Sequence, residues 1–151
     1  MTTLIGISFG GVSPGTLATG SNNGSRIENC TVRRAIFGIY SAGQAATPNT
    51  GTVITRNDLS ALTTDRIRRV GIVAFNDNGV QITENSIGGI DSADSADVVG
   101  IGVGTFNGID ATTVISGGVS NALVTRNRIN GVSNLTATFS AAGIAVAGGT
   151  L

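Results

Sequence analysis

The chain has 151 residues and a mass of 15.0 kDa, which corresponds to a single domain. Its nine basic residues are all Arg and are balanced by nine Asp and Glu, so the formal net charge is zero and a basic nucleic-acid-binding surface is excluded. The chain contains no His, which excludes His-dependent catalytic triads and His-ligated zinc. With 40% hydrophobic residues the chain is too apolar for disorder, and no apolar stretch is long enough to predict a membrane span.

The first of two alternating motifs is Gly-Ile followed by alternating small and apolar residues. It occurs at Gly6-Ile7, Gly38-Ile39, Gly71-Ile72, Gly100-Ile101 and Gly143-Ile144, so that successive glycines are 32, 33, 29 and 43 residues apart. Alternation with a period of two residues is typical of β-strands. We therefore predict a short strand at each Gly-Ile segment and no long helix.

The second motif is a hydrophobic residue, two variable positions, Asn, one variable position and a hydrophobic residue. It occurs at residues 54–59, 82–87 and 124–129, and at 27–32 with Cys in place of Asn. The column residues are Cys30, Asn57, Asn85 and Asn127, spaced 27, 28 and 42 residues apart. An Asn at a bend tolerates the backbone angles of the turn, and its amide can bond the equivalent amide one repeat away. We predict a structural ladder, with Cys30 as a small buried residue in the same column.

Together these motifs resemble those of the right-handed parallel β-helix family, the fold of pectate lyases and of many large secreted surface proteins. The resemblance extends from Leu4 to Val146. It implies an all-β fold, a right-handed parallel β-helix (solenoid) of about four to five coils, formed by residues 1–151 as a single domain. Neither end carries an amphipathic capping segment, so we expect either a fragment of a longer solenoid or open ends that stack into a fibre.

Three stretches between the motifs, residues 10–22, 43–50 and 104–120, each follow a Gly-Ile strand. In a solenoid such loops project from one side, and we expect them to form the surface that meets a partner. The outward positions beneath them (Ser8, Tyr40, Val73, Gly102 and Ala145) are mostly small or apolar, which suggests that the loops or a partner partly cover them.

A basic segment supplies the candidate glycan contacts. Arg66, Arg68 and Arg69 follow Asp65, and Arg side chains bind carboxylates in a bidentate manner, so the three could hold a uronate. Tyr40 is expected to project outward and could stack on a sugar ring. The alternative is a solvated basic turn whose charge Asp65 offsets.

Asp91, Asp94 and Asp97 form the one acidic cluster, separated by Ser and Ala. Their carboxylates could contribute to a Ca²⁺ site, which takes six to eight oxygen ligands. The spacing matches neither an EF-hand loop nor the Gly-Gly-x-Gly-x-Asp repeat, and a plain solvated loop is the alternative. No other cofactor is expected.

Enzymes on the β-helix fold have recognisable motifs that this chain lacks. Polygalacturonase-like enzymes resemble one another in Asn-Thr-Asp, Asp-Asp and Gly-His-Gly motifs, and pectate-lyase-like catalysis needs a basic residue beside calcium-binding acids. We expect no catalytic residues here. The leading hypothesis is a non-enzymatic structural or adhesive segment of a secreted or cell-surface protein, with polysaccharides or surface proteins as partners. The alternatives are a carbohydrate-binding or carbohydrate-processing β-helix and a fibre subunit that assembles end to end.

Overall fold

The computed structural model describes residues 3–11, 18–93, 96–106, 118–136 and 138–147. Within these ranges the strands are β1 Thr3–Phe9, β2 Arg26–Glu28, β3 Ala35–Ala42, β4 Asn49–Thr50, β5 Val53–Thr55, β6 Asp58–Ser60, β7 Val70–Phe75, β8 Asp77–Asn78, β9 Gln81–Thr83, β10 Ser86–Ser92, β11 Val98–Val103, β12 Val119–Ser120, β13 Leu123–Thr125, β14 Arg128–Asn134 and β15 Ala141–Val146. A single 3₁₀ turn, Thr63–Asp65, is the one helical element in the described ranges. None of the described residues belongs to a helix long and apolar enough to cross a membrane.

The strands form four parallel sheets. Their orders are β1-β3-β7-β11-β15, β13-β9-β5-β2, β14-β10-β6 and β12-β8-β4. Neighbours in a sheet come from successive sequence repeats, because the chain visits the other sheets before it returns to the same one. The predicted all-β class is therefore confirmed, and the pairing is parallel in every strand pair of the described residues.

The register of these sheets aligns the two sequence motifs. The Ile residues of the five Gly-Ile segments (Ile7, Ile39, Ile72, Ile101 and Ile144) are paired in one row of the five-stranded sheet. The first apolar residues of the second motif (Ile27, Ile54, Ile82 and Val124) are paired in one row of the four-stranded sheet. Since Ile39, Ile54, Ile72, Ile82 and Ile101 are all fully buried, the two rows face a shared apolar core.

Close approach of neighbouring strands explains why Gly precedes Ile in the first motif. A Cβ atom on Gly38, Gly71 or Gly100 would lie 2.5 Å from the carbonyl oxygen of the next glycine along the sheet. Real Cβ atoms do not come that close to a backbone oxygen, so a side chain here would push the strands apart. Gly143 differs, because among the described residues the nearest atom to its Cβ position is Ile129 Cγ2 at 4.0 Å.

The connections from the five-stranded sheet to the β12-β8-β4 sheet differ in length. Residues 43–48 connect β3 to β4, only Asn76 connects β7 to β8, and residues 104–118 connect β11 to β12. Nevertheless β4, β8 and β12 pair in a common register, with Asn49 opposite Asp77 and Asp77 opposite Val119. The sheet pairing is therefore independent of the length of the preceding loop.

Candidate functional site

Hydrogen bonds connect the Asn column along the stack of repeats. Oδ1 of Asn85 accepts from both the backbone N–H and Nδ2 of Asn57, each at 3.0 Å, and Oδ1 of Asn127 does the same for Asn85. Nδ2 of Asn85 also donates to the Ile54 carbonyl at 2.9 Å. Cys30 joins through its backbone N–H, which donates to Asn57 Oδ1 at 3.0 Å, and its side chain is half-buried. Asn57 and Asn85 are each 1% exposed, so these bonds satisfy polar groups inside the protein.

The bend at this column is formed one residue earlier than the sequence predicts. The residues with positive φ are Asn29 at 56°, Arg56 at 52°, Glu84 at 58° and Arg126 at 56°, each directly before a column residue. The prediction that the column Asn itself adopts the turn conformation was wrong. The bend exposes the long side chain of the preceding residue, while the Asn side chain turns inward and bonds the next repeat.

The outer face of the five-stranded sheet is a second apolar core. Phe106, which follows β11, packs edge-on against Phe37 and Phe75 with ring centroids 5.4 and 5.8 Å apart. Tyr40 lies 5.9 Å from Phe75 and is fully buried. The prediction that Tyr40 is an outward aromatic available to a sugar was therefore wrong, because the chain itself covers this face.

Arg66, Arg68 and Arg69, the candidate glycan contacts, lie in three different environments. Arg66 donates from Nη1 to Asp91 Oδ2 at 2.8 Å, and both side chains are mostly buried. The Arg69 guanidinium lies over the rings of Phe106 and Phe37, 5.1 and 5.6 Å from their centroids. Burial lowers the pKa of Arg69, and the nearby Asp97 carboxylate acts against that shift. Arg68 is exposed, so the structure does not bring the three together as a clamp.

The acidic residues near the basic segment also form hydrogen bonds or ion pairs within the protein. Asp65 accepts from Nε of Arg34, a residue of the preceding repeat, instead of offsetting the basic segment that follows it. Asp97 Oδ1 accepts from the Ser140 backbone N–H at 2.9 Å, and Asp91 pairs with Arg66. Asp94 lies outside the described residues. No group of three or more His, Cys, Asp and Glu side chains that could hold a metal ion occurs in the described part of the chain.

A groove of about 320 Å³ crosses three repeats on the outside of the β6-β10-β14 sheet. Its lining is Leu62 together with three equivalent pairs, Ser60-Ala61, Gly88-Gly89 and Asn130-Gly131. Gly89 and Gly131 have φ of 65° and 61°, and a Cβ atom on Gly89 would lie 2.0 Å from the Ala61 carbonyl oxygen. The groove offers backbone polar groups and an amide beside Leu62, which is 76% exposed. Such a lining suits a chain ligand with both polar and apolar edges.

Sequence reasoning did not identify this groove, although a signal was present. Its three pairs lie three and four residues after Asn57, Asn85 and Asn127. They are mostly small, and two contain Gly with positive φ. A comparison of the repeats at this offset would have indicated a depression along the stack, because small side chains leave the sheet surface uncovered.

Asp77 is a buried acid in the β4-β8-β12 sheet. Only 1% of the residue is exposed, and it lies opposite Asn49 of the preceding repeat. Burial raises the pKa of Asp77 to about 6, and the neighbouring Thr52 hydroxyl acts against this rise. Asp77 is thus an acid whose buried position disfavours its charged form, which the sequence motifs did not indicate.

Comparison with known proteins assigns no activity to this geometry. No family model, curated protein or solved structure matches the chain. A functional interpretation therefore depends on the residues described above.

Proposed function

We propose that the chain is a right-handed parallel β-helix of four to five coils that acts as a non-enzymatic structural or adhesive scaffold. Each coil comprises one strand of the five-stranded sheet and the strands of the other sheets that follow it. The observation that carries the proposal is the common register of the Gly-Ile row and the Asn column through successive repeats. A secreted or cell-surface location follows from the resemblance of these motifs to the β-helix family.

The ion pairs support a scaffold role. Arg33 pairs with Asp58, Arg66 with Asp91 and Arg126 with Glu84, and the partners are 25, 25 and 42 residues apart. Partners at these separations lie in neighbouring coils. Ion pairs between coils favour the observed alignment of one coil on the next, and each exposed pair contributes about 0.2–1 kcal/mol.

The adhesive surface proposed for this scaffold lies at the loop side. Residues 45–48 of the loop before β4 are exposed, and this loop contacts the preceding coil because Ser21 Oγ donates to the Thr47 carbonyl at 2.6 Å. The Thr47 hydroxyl donates to Gln44 Oε1 at 2.6 Å, which fixes the loop further. A restrained, exposed loop loses little entropy when it binds a partner.

A second candidate function is carbohydrate binding, and the groove beside Leu62 favours it. Sugars present hydroxyl groups along their edges and C–H groups on their faces, which match the Asn130 amide, the backbone groups and the Leu62 side chain. Arg68, the exposed residue of the basic segment, remains a candidate contact for an acidic sugar.

One binding experiment tests both functions. The purified chain is probed with an array of neutral and acidic polysaccharides and cell-surface proteins, in parallel with Ala46→Arg in the loop, Asn130→Ala in the groove and Thr125→Arg on the four-stranded sheet. We expect a surface ligand whose binding falls at least tenfold in Ala46→Arg and is unchanged in Thr125→Arg. Loss in Asn130→Ala alone would assign the ligand to the groove and favour carbohydrate binding. Equal binding by all variants, or none by the parent, would contradict both.

A further inference from the structure

Two side chains meet over the floor of the groove on the β6-β10-β14 sheet. The floor is the glycine pair Gly88-Gly89 of the middle strand. A Cβ atom on Gly88 would lie 2.2 Å from Asn130 Oδ1, so the amide of Asn130 occupies the place of the missing side chain. A Cβ atom on Gly89 would lie 3.2 Å from Leu62 Cδ2, so Leu62 lies against the other glycine. An amide and an apolar side chain therefore approach the same small floor from the two sides of β10.

The exposure of Leu62 is unusual for its position in the repeat. Leu62 is the fifth residue after the column Asn of its repeat, a position that Ile90 and Val132 take in the next two repeats. Ile90 is fully buried and Val132 packs against the core, whereas Leu62 is 76% exposed. This fraction is the highest among the large apolar side chains that the structure describes. Because covering such a side chain is favourable, Leu62 is suited to contact an apolar part of a ligand.

Asn130 supplies a polar group with unused hydrogen-bonding capacity. Its register partner in β10 is Gly88, whose own partner in β6 is Ser60, so the other two coils have no amide at this position. The Asn130 carboxamide is exposed and forms no hydrogen bond with any described residue. A carboxamide presents a donor and an acceptor side by side. It therefore matches a ligand that offers a carbonyl oxygen next to a hydroxyl group, and it matches a carboxylate, which offers two acceptors, less well.

The size and charge of the groove restrict the ligand further. Its volume of about 320 Å³ lies at the lower end of the range for small-molecule sites, and none of its described lining residues is charged. These properties suit one neutral sugar residue. A peptide that binds a sheet pairs with an edge strand, whereas this floor is the face of β10, which is paired on both sides.

We propose that the groove binds a neutral N-acetylated sugar through its acetamido group. The acetamido methyl group contacts Leu62, the acetamido carbonyl accepts from Asn130 Nδ2, and the neighbouring ring hydroxyl donates to Asn130 Oδ1. Glycine at 88 and 89 leaves the room in which the group lies. The inference rests on the carbohydrate-binding function proposed for the groove, and it names the class of sugar.

Nitrogen–proton NMR spectra of the isotope-labelled chain, titrated with N-acetylglucosamine and separately with glucose, test the proposal. N-acetylglucosamine should shift the side-chain amide of Asn130 and the backbone amides of Gly88 and Gly89, with a Kd in the millimolar range expected for a single sugar. Glucose carries a hydroxyl group in place of the acetamido group. It should bind about tenfold more weakly or less, because it lacks both the carbonyl and the methyl group.

Substitutions at the two contacting residues give an independent test. Leu62→Ala and Asn130→Ala should each weaken the binding of N-acetylglucosamine about fivefold or more. Leu123→Ala is the matched control, since Leu123 is also an exposed leucine but lies on β13 in another sheet, and it should bind as the parent does. Unchanged binding in both groove variants would overturn the proposal.

The other outcomes separate this inference from the function on which it rests. Equal affinity for glucose and N-acetylglucosamine would overturn the recognition of the acetamido group and leave carbohydrate binding at the groove in place. Equal shifts with N-methylacetamide would overturn the sugar as ligand and indicate a peptide-like amide. No shift at the groove with either sugar would contradict both the inference and the carbohydrate-binding function, whereas the scaffold proposal depends on strand register and would stand.

Discussion

Asn85 shows how a single polar residue can be buried at low cost. Its Oδ1 accepts two hydrogen bonds from Asn57, and its Nδ2 donates to Ile54 and Asn127. The side chain thus forms hydrogen bonds with the backbone of the preceding repeat and with the side chain of the next repeat. Because the bend itself is formed by Glu84 in the left-handed region, the Asn is selected for its hydrogen bonds and not for its backbone conformation.

Replacing Asn85 by Leu should lower the free energy of unfolding by about 1–3 kcal/mol, because the Asn57 N–H and the Ile54 carbonyl lose a partner inside the protein. Asn127→Leu is the control, and it should cost less because Asn127 is half-exposed and water can replace the lost bonds. Urea unfolding of both variants measures the difference. Equal costs would show that burial of the ladder does not determine its contribution.

Asp77 should make the free energy of unfolding rise as the pH falls, whereas an ion-paired surface acid has the opposite effect. Its pKa is about 6 in the folded protein and near 3.8 when unfolded, so the folded state holds the proton more tightly. The stabilisation is complete below about pH 4 and is lost as the pH rises through 6. Lowering the pH from 8 to 5 should therefore add about 1–2 kcal/mol to the free energy of unfolding.

Urea unfolding of the parent and of Asp77→Asn at pH 8 and pH 5 checks this expectation. The variant should lose most of the difference between the two pH values and should be the more stable protein at pH 8. Glu84→Gln, which removes an exposed acid, should keep the pH dependence of the parent. A parent whose stability does not rise at pH 5 would show that burial does not govern the ionisation of Asp77.

At the scale of the strand, glycine sets the distance between neighbours. In β7, the Cβ position of Gly71 lies 2.5 Å from the Gly100 carbonyl oxygen and 2.8 Å from Ile87 Cγ2. One contact is with the backbone of β11 and the other with the apolar core. Neither group can move without disturbing a sheet or the packing, so the Gly-Ile motif reflects close contact between strands and not turn formation.

Gly71→Ala should therefore destabilise the protein by about 1–3 kcal/mol, the usual cost of overpacking. Gly143→Ala carries the same chemical change on β15 and should alter the free energy of unfolding by less than about 0.5 kcal/mol, the range of surface substitutions. Thermal and urea unfolding at low protein concentration measure both. Similar effects of the two substitutions would contradict the steric explanation of the motif.

Over the whole molecule, the sequence was sufficient to predict the structural roles of the positions that repeat. Each of the five segments of the Gly-Ile motif lies in a strand, and Asn57, Asn85 and Asn127 form hydrogen bonds in the predicted order. The two motifs recur in the sequence at variable spacing because each repeat must satisfy the same packing and hydrogen-bonding constraints.

The features that the sequence did not predict depend on contacts between non-equivalent positions. Tyr40 is buried through an aromatic cluster completed by Phe106, and Arg66 is neutralised by Asp91 of the next repeat. Within the part of the chain that the structure describes, neither contact has a counterpart in the other repeats, so no periodic signal indicates them. A joint glycan site of Arg66, Arg68 and Arg69 was predicted only because the three residues are close in sequence. In the structure their side chains lie in different environments.

The unequal connections before β4, β8 and β12 have a consequence for how such a molecule can be altered. Six residues, one residue and fifteen residues reach the same register at positions 49, 77 and 119. The frame therefore accepts connections of different length between residues 42 and 49 and between residues 103 and 119, provided that Phe106 keeps its packing against Phe37 and Phe75. Foreign peptides grafted at either site would be displayed side by side on a rigid support, and new recognition surfaces could arise without any change in the residues that hold the protein together.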